Sequence, residues 1–352
     1  MPVEPRPAVA SLAGYPWEES SAAIAARLGI DVEQVVRFDM NTVPWQLPVP
    51  VSADGLQLNE YPDTFYRELT DAIAAYLDRP AASIVVGAGG DELISLVAQA
   101  YLDGVRTCAI ADPTYSLFAI CSRITGARVD AVPCTDGYAL DRARFLDGAS
   151  RAHVTWLANP NNPTGELLPQ DYVREVAAAA AGLVVVDEAY AEFVDTTALA
   201  WLDEAPNVVV LRTLSKAFGL AGLRIGYVTA HPDIVGTLNT VRPVSSISAV
   251  AARAGATALK QAPHMRELVR GHIAERHRLA AALAAQGCAV IEGEANFVLA
   301  RLDAAALDRA RSRGLVLRTY GSGHRLDGWS RITVRAPEEN ARLLDAIHDT
   351  TG

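Results

Sequence analysis

One lysine, Lys216, stands in a run of small and hydroxylated residues that directly follows an apolar segment. The run reads Arg212-Thr-Leu-Ser-Lys-Ala-Phe-Gly-Leu-Ala-Gly-Leu-Arg224. A lysine in a partly dry pocket near other cations has a lowered pKa, and its neutral amine can form a Schiff base with a carbonyl compound. Hydroxyls at Thr213 and Ser215 and the guanidinium of Arg224 can bind a phosphate. Together these groups favour a site for pyridoxal phosphate (PLP); the alternative is a loop lysine beside a surface arginine.

A glycine-rich turn between a predicted strand and a predicted helix is a second candidate. It reads Val86-Gly-Ala-Gly-Gly-Asp-Glu92. Free backbone N–H groups and the helix dipole at such a turn can bind a small anion. Glu92 stands where a dinucleotide fingerprint requires glycine, and the sequence contains no GxxxxGK[ST] motif. A nicotinamide site and a P-loop are therefore not predicted, whereas a purely structural turn remains the alternative.

Two polar segments follow other apolar runs. In Asn159-Pro-Asn-Asn-Pro-Thr-Gly165, the Asn162 amide could donate to a phenolate-type oxygen, although asparagine and proline also mark ordinary turns. Asp187 ends the run Leu183–Val186, and a carboxylate there either caps a helix or pairs with a cationic ring nitrogen. PLP needs such a partner because protonation makes its ring a stronger electron sink. Tyr190, three residues further on, could reach the phenolic oxygen of that ring.

Arginines near the C-terminus form a third group of candidates. In Ser330-Arg-Ile-Thr-Val-Arg335, the strand period places Arg331 and Arg335 on one face, opposite the apolar residues. Two arginines on one face can bind a carboxylate or a phosphate. Arg318, directly after an apolar run, is a third candidate. The alternative is a solvated strand face.

The elements that must position these residues alternate along the chain. Helical patterns at Thr64–Leu77, Asp91–Tyr101, from Tyr115 onward and at Pro169–Ala181 separate short apolar runs, namely Ser83–Val86, Thr107–Ala111, Arg128–Val132, His153–Leu157, Leu183–Val186 and Asn207–Leu211. Runs that are apolar on both faces and alternate with helices predict a mostly parallel sheet covered on both sides, in which ligands bind beyond the carboxyl ends of the strands. After about Thr240, a long helix (Pro263–Gln286), four short strands and a closing helix predict a smaller α+β domain.

Composition narrows the classes of function. The chain has 352 residues, half of them hydrophobic, which is enough for two domains. The net charge is -10 and no basic run occurs, so nucleic acid and anionic membranes are poor partner candidates. No apolar run of membrane-spanning length and no signal-type N-terminus is found, so we expect a soluble, cytoplasmic protein. Scattered cysteines without a CxxC pair predict buried thiols in a reducing compartment (Cys108, Cys121, Cys134 and Cys288), and the seven histidines have no metal-site spacing.

The order of these motifs resembles the class I and II aminotransferases of PLP fold type I, from about Leu12 to the C-terminus. Pro113-Thr-Tyr115 and Glu60-Tyr-Pro62 belong to the same series. Within that family the chain is most similar to histidinol-phosphate aminotransferases. The resemblance implies a three-layer α/β/α large domain plus a smaller α+β domain, divided as residues 1–45 (N-terminal arm and part of the small domain), 46–240 (PLP-binding) and 241–352 (small domain). It also implies a homodimer with shared active sites.

The resemblance implies a role for each candidate residue. Lys216 would bond to PLP and then move a proton, Asp187 would pair with the ring nitrogen, and Asn162 and Tyr190 would bind the ring O3′. Further cofactor contacts are implied for the stacking Tyr115, for the phosphate ligands Gly90, Asp91, Thr213, Ser215 and Arg224, and for Tyr61, which would reach the cofactor of the neighbouring subunit. Substrate contacts are implied for Arg331, Arg318, Asn296 and the arm residue Tyr15.

Two departures from the family pattern leave the substrate open. The family commonly has Asn-Glu-Asn-Pro where this chain has Asn41-Thr-Val-Pro44, and it has a small residue at Arg335. A second cation at Arg335 could favour a phosphorylated or dicarboxylic substrate, or it could face solvent. The expected reaction is ping-pong transfer of an amino group from L-histidinol phosphate to 2-oxoglutarate. The alternatives are an aromatic amino-acid transaminase, an amino-acid-phosphate decarboxylase and, disfavoured by the lack of a helix-turn-helix extension or basic arm, a PLP-fold regulator.

Overall fold

A computed structural model describes residues 3–10, 12, 18–49 and 51–348. The helices are α1 (Pro7–Ala10), α2 (Ser21–Leu28), α3 (Arg67–Leu77), α4 (Gly89–Tyr101), α5 (Ser116–Ile124), α6 (Arg142–Ala149), α7 (Gln170–Ala179), α8 (Pro232–Val241), α9 (Ala249–Leu259), α10 (Ala262–Ala285), α11 (Ala304–Ser312) and α12 (Pro337–His348). The strands are β1 (Val36–Arg37), β2 (Ile84–Gly87), β3 (Thr107–Asp112), β4 (Arg128–Pro133), β5 (Val154–Ala158), β6 (Leu183–Asp187), β7 (Val208–Thr213), β8 (Gly226–Ala230), β9 (Val290–Glu292), β10 (Phe297–Arg301), β11 (Leu315–Val316), β12 (Arg318–Thr319) and β13 (Trp329–Thr333).

The larger sheet has seven strands in the order β2-β8-β7-β6-β5-β3-β4. Strand β8 pairs antiparallel with both of its neighbours, and every other neighbouring pair is parallel. Strands β5 to β8 are buried along their whole length, because they lie inside the sheet and helices cover both of its faces. One face packs on a core that contains Phe118 and Trp156, and the other packs on a core that contains Phe145 and Trp201. The predicted three-layer α/β/α architecture is confirmed.

Strand β8 is absent from the sequence-based prediction. Gly226 and Thr229 interrupt its apolar pattern, so the run does not stand out. The structure needs glycine at position 226, because a Cβ atom there would lie 2.6 Å from the backbone carbon of Gly89. This close approach brings β8 against the turn that opens α4, and thus helps to set the geometry of the site.

The smaller sheet is antiparallel, in the order β12-β13-β10-β9, and packs on α10, α11 and α12. Strand β1 pairs in parallel with β11, and Val36 and Phe38 enter the core of this part. The predicted small α+β domain is therefore present, and it includes residues from before position 45. Helix α9, which follows the predicted domain boundary at residue 240, packs against α3, which precedes it, through Leu69 and Ala251. The boundary therefore stays a prediction.

Two expectations concern what the described residues contain. Within the described ranges, no helix is both long enough and apolar enough to cross a membrane. The same residues include no group of three or more His, Cys, Asp or Glu side chains placed to bind a metal. All four cysteines are free; Cys108 and Cys121 are buried as predicted, whereas Cys134 and Cys288 are only partly buried.

Candidate active site

Most of the predicted cofactor residues line one cavity at the carboxyl edge of the larger sheet. The cavity wall includes Gly90, Asp91, Tyr115, Asn162, Asp187, Tyr190, Thr213, Ser215, Lys216 and Arg224. They come from separate segments that follow β2, β3, β5, β6 and β7. Because parallel strands end at the same edge, residues more than 130 positions apart in the sequence meet here. Ile94, Ala158, Pro160, Ala189 and Leu211 complete the lining and were not predicted from the sequence.

The Lys216 amine lies inside this cavity in the turn that follows β7. Its Nζ is 5.7 Å from the centre of the Tyr190 ring. Burial lowers the pKa of Lys216 to about 8, and the positive charge of Arg331 adds to the effect. A lowered pKa makes the neutral amine accessible near neutral pH, which is the condition for its attack on a carbonyl.

Asp187 ends β6 on the wall of the same cavity. Its side chain is buried and accepts a hydrogen bond of 3.0 Å from the backbone N–H of Ala189. No α-helix begins at this position, so the alternative role as a helix cap is wrong. Burial raises the pKa of Asp187 to about 7. A carboxylate that burial disfavours in this way gains from an added cationic partner, such as a protonated ring nitrogen.

The opposite end of the cavity is suited to an anion. Gly90 and Asp91 lie in the first turn of α4, where backbone N–H groups have no intrahelical acceptor. The hydroxyls of Thr213 and Ser215 lie 2.9 Å apart, and both side chains are buried. The Arg224 Nη2 lies 2.9 Å from the Asp91 carboxylate. Hydroxyls, free N–H groups and a guanidinium at one end match the donor set that a phosphate requires.

Asn41 is a site residue that the sequence reasoning left without a role. Its Nδ2 donates a 2.8 Å hydrogen bond to the Tyr190 hydroxyl, and burial raises the pKa of Tyr190 to about 12. Asn41 has a φ of 52°, in the left-handed region that asparagine tolerates better than most residues. Asn296, predicted to contact substrate, instead donates to the Asn41 carbonyl at 2.9 Å. It is fully buried, its Oδ1 has no hydrogen-bond partner among the described residues, and its contact with substrate stays a prediction.

The three candidate arginines have different surroundings. Arg331 Nη1 donates to Asn162 Oδ1 at 2.7 Å, which places this guanidinium beside the cavity. Arg318 lies directly opposite Arg331 in the β12–β13 pair and is bound by Glu18 at 2.9 Å. Arg335 does not reach the cavity: its Nη1 lies 3.2 Å from the Thr42 carbonyl and its Nε 3.2 Å from Glu339. The prediction of Arg335 as a substrate ligand is therefore not supported, and it is not a solvated side chain either.

Three tyrosines remain. The Tyr115 hydroxyl donates to Asp91 at 2.9 Å, so its ring stands at the cavity wall, and its stacking on a cofactor stays a prediction. Tyr61 is 89% exposed and does not line the cavity of its own chain, which leaves the role across subunits open. Tyr15 lies outside the described residues.

A buried ion pair connects β6, which ends at Asp187, with β7, which precedes the turn that carries Lys216. Arg212 Nη2 lies 2.8 Å from the carboxylate of Glu188, and both side chains are almost fully buried. Because successive strand residues point to opposite faces, this pair lies behind the sheet from the cavity. It joins β6 to β7 next to Asp187 and Thr213. The alternation of side chains along the apolar strands is the signal that could have revealed it.

Comparisons with known proteins identify the family of this chain. The model of the family "aminotransferase class I and II" matches residues 41–347. The chain is 35% identical to a histidinol-phosphate aminotransferase of Roseiflexus castenholzii, over 98% of this chain and 97% of the relative. A histidinol-phosphate aminotransferase of Thermobifida fusca is 38% identical, with coverages of 84% and 82%. The crystal structure of histidinol-phosphate aminotransferase from Sinorhizobium meliloti in complex with pyridoxal-5'-phosphate is similar with a TM-score of 0.86 and 27% identity, and the match covers 97% of this chain and 96% of that one.

Proposed function

The chain belongs to the aminotransferase class I and II family, and from this premise we propose that it is a PLP-dependent histidinol-phosphate aminotransferase. It transfers the amino group of L-histidinol phosphate to 2-oxoglutarate, yielding imidazole acetol phosphate and L-glutamate, a step of histidine biosynthesis. The observation that carries the proposal is that Lys216 and Asp187 line one cavity together with residues that can bind an anion.

The residues of the cavity fit PLP by their chemistry. Lys216 would bond to the aldehyde carbon, Asp187 would pair with the ring nitrogen, and the α4 N-terminus would bind the phosphate together with Thr213 and Ser215. When bound, PLP supplies an electron sink that allows bonds at the Cα atom of the substrate amine to break. The neutral Nζ of Lys216 then accepts and returns a proton, for which a pKa near neutrality is suited.

Arg331 is the proposed ligand for the acidic group of both substrates. Its guanidinium is fixed by Asn162 and by a 2.5 Å hydrogen bond to the Asp39 carbonyl, while its buried Nε has no partner among the described residues. A buried guanidinium N–H without a partner favours an anionic ligand, because leaving such a donor unsatisfied costs free energy. Asn162 and Tyr190 would both orient the PLP ring by binding its O3′ atom.

The departures in residues 42 and 43 alter the scaffold and not the cavity wall. Val43 is buried in the core beneath the lysine turn, and the Thr42 carbonyl accepts from Arg335. Neither residue is among those that line the cavity.

A substrate screen tests the proposal. Purified protein with PLP would be supplied with 2-oxoglutarate and with histidinol phosphate, phenylalanine, tyrosine or threonine phosphate as amino donor, and formation of glutamate and release of carbon dioxide would be measured. We expect the highest kcat/KM with histidinol phosphate, no carbon dioxide, and no activity in the matched variant Lys216→Ala. A higher kcat/KM with the aromatic amino acids, or carbon dioxide release, would replace this substrate assignment with the corresponding alternative.

We further infer a two-fold homodimer in which Tyr61 reaches the cofactor of the partner subunit. Tyr61, Leu58, Phe65 and Val244 expose large apolar surfaces, which is typical of an interaction site. Light scattering measures the mass in solution, and Tyr61→Phe should weaken cofactor binding. A fully active monomer would contradict the inference.

A further inference from the structure

Two arginines of the smaller sheet lie side by side, and one of them contacts the cavity wall. Arg318 of β12 and Arg331 of β13 are direct partners in an antiparallel pair, so their side chains lie on the same face of the smaller sheet. Arg331 reaches Asn162 in the cavity wall. Arg318 is therefore a neighbouring cation for the anionic group of a substrate.

A carboxylate of the same chain already binds this second cation. Glu18 Oε1 lies 2.9 Å from Arg318 Nη1, and Glu18 Oε2 lies 3.2 Å from Arg37 Nη2. The side chains of Glu18 and Arg318 are 26% and 27% exposed, so water and solutes can reach the pair. Glu18 thus places a carboxylate where an incoming anion would bind.

Charge balance around the pair separates Arg318 from Arg331. Arg37 forms two hydrogen bonds with Asp39, of 2.8 and 2.7 Å, in addition to its contact with Glu18. Two carboxylates, Glu18 and Asp39, therefore balance Arg37 and Arg318. No carboxylate among the described residues binds Arg331, whose N–H groups donate to an amide oxygen and a backbone carbonyl while its guanidinium lies over the Phe297 ring. An anion can therefore bind Arg331 directly, whereas at Arg318 it has to compete with Glu18.

Because partly exposed ion pairs are weak, a strongly charged ligand can carry out this displacement. A phosphate dianion has more charge and more acceptor atoms for a guanidinium than a single carboxylate. We propose that Glu18 is a specificity-determining residue that competes with the anionic group of the substrate for Arg318, so that donors carrying a phosphate dianion displace it and donors whose only anionic group is a carboxylate do not. The inference rests on the proposed function, since it concerns the same substrate site.

The neighbouring glutamate provides a matched control. Glu19 pairs with Arg27 at 2.9 Å, away from Arg318. Glu18→Gln and Glu19→Gln each remove one negative charge from adjacent positions, so any general effect of net charge is the same in both variants. In both variants the carboxylate is replaced by an amide of nearly the same size.

The experiment compares steady-state kinetics of the PLP-loaded wild type and the two variants. Glu18→Gln should lower the KM of histidinol phosphate about two- to fivefold, as expected for removal of a weak competing ion pair. Its kcat and the KM of phenylalanine should change less, and Glu19→Gln should leave the KM of histidinol phosphate at the wild-type value. An unchanged or raised KM in Glu18→Gln would show that Glu18 only supports Arg318. An equal effect in Glu19→Gln would reduce the result to net charge.

A second measurement keeps this test separate from the proposed function. Inorganic phosphate would be tested as an inhibitor with whichever amino donor the wild type uses, and Glu18→Gln should lower its inhibition constant by the same factor. If the wild type fails to use histidinol phosphate but this shift appears, the substrate assignment fails and the competition stands. If histidinol phosphate is used and neither its KM nor phosphate inhibition moves, the competition is wrong and the function stands.

Discussion

Replacing Arg331 with methionine should raise the pKa of the Lys216 amine. Burial is the main cause that lowers this pKa from its ordinary 10.5 to about 8, and the charge of Arg331 is the next. At pH 7 a lysine with a pKa of about 8 is roughly one-tenth neutral, about 300-fold more than a lysine at 10.5. Methionine has a similar length and no charge. The neutral fraction at pH 7 should therefore fall several-fold, while burial keeps the pKa below its ordinary value.

The composition of the chain makes the assay simple. Lys216 and Lys260 are its two lysines, and Lys260 is exposed. Cofactor-free protein would be treated with an amine-acylating reagent across a pH series, and mass spectrometry of peptides would give the extent of modification at each lysine. Lys260 is the internal reference for the reagent.

Arg335→Met is the control variant, because Arg335 is not among the charges that act on Lys216. The titration midpoint of Lys216 should move upward in Arg331→Met and stay in place in Arg335→Met. An unchanged midpoint in Arg331→Met, or an equal movement in both variants, would refute the electrostatic reasoning.

The same pKa has a consequence for stability. A lysine whose pKa is lower in the folded state binds fewer protons there than in the unfolded chain, between about pH 8 and 10.5. Lys216 therefore destabilises the cofactor-free protein below pH 8, and this contribution disappears as the pH rises through 10.5. Urea unfolding of the cofactor-free protein at pH 8 and at pH 10.5 measures this contribution. The difference in the free energy of unfolding between the two pH values should be smaller in Arg331→Met than in the wild type, because the folded-state pKa of Lys216 is higher in the variant.

Three further predictions concern the frame of the cavity. Asp187→Asn should lower kcat about 100-fold or more, because a charged partner is replaced by a neutral amide; steady-state assays with saturating PLP would measure it, and a near wild-type kcat would contradict it. Arg212→Met should lower the free energy of unfolding by about 3–5 kcal/mol, because Glu188 is left buried without its cation. Urea unfolding measures this loss, and the double variant with Glu188→Leu should recover part of it. Trp45→Phe removes the 3.0 Å bond from the indole N–H to the Ala217 carbonyl, next to Lys216. It should cost about 1 kcal/mol of stability and speed the loss of PLP on dialysis.

A matched control exists for the tryptophan variant. Trp201 donates through its indole N–H to Gln170 at 2.9 Å, in a separate core cluster that does not include Ala217. Trp201→Phe should cost a similar free energy of unfolding without changing the retention of PLP. An equal loss of PLP in both variants would mean that Trp45 acts only through global stability.

The local patterns of the sequence were sufficient to predict most of the polar residues that line the cavity. Asp187 follows a wholly apolar run and Lys216 follows another, and parallel strands present such residues at one edge. Glycines at the start of α4 indicate an anion-binding turn, because the backbone N–H groups there have no intrahelical acceptor. Strand β8 could not be predicted in this way, because its place depends on antiparallel pairing with β2 and β7 and not on a continuous apolar run.

The sequence by itself predicted from the strand period that Arg331 and Arg335 share a face, although β13 ends at Thr333. Only the tertiary structure decided what each guanidinium meets: Asn162 for Arg331, and Thr42 with Glu339 for Arg335. The two-residue period of a strand predicts only the direction of a side chain relative to its own strand. It carries no information on the groups that distant segments bring to that face, and those groups determine whether an arginine is free to bind a substrate.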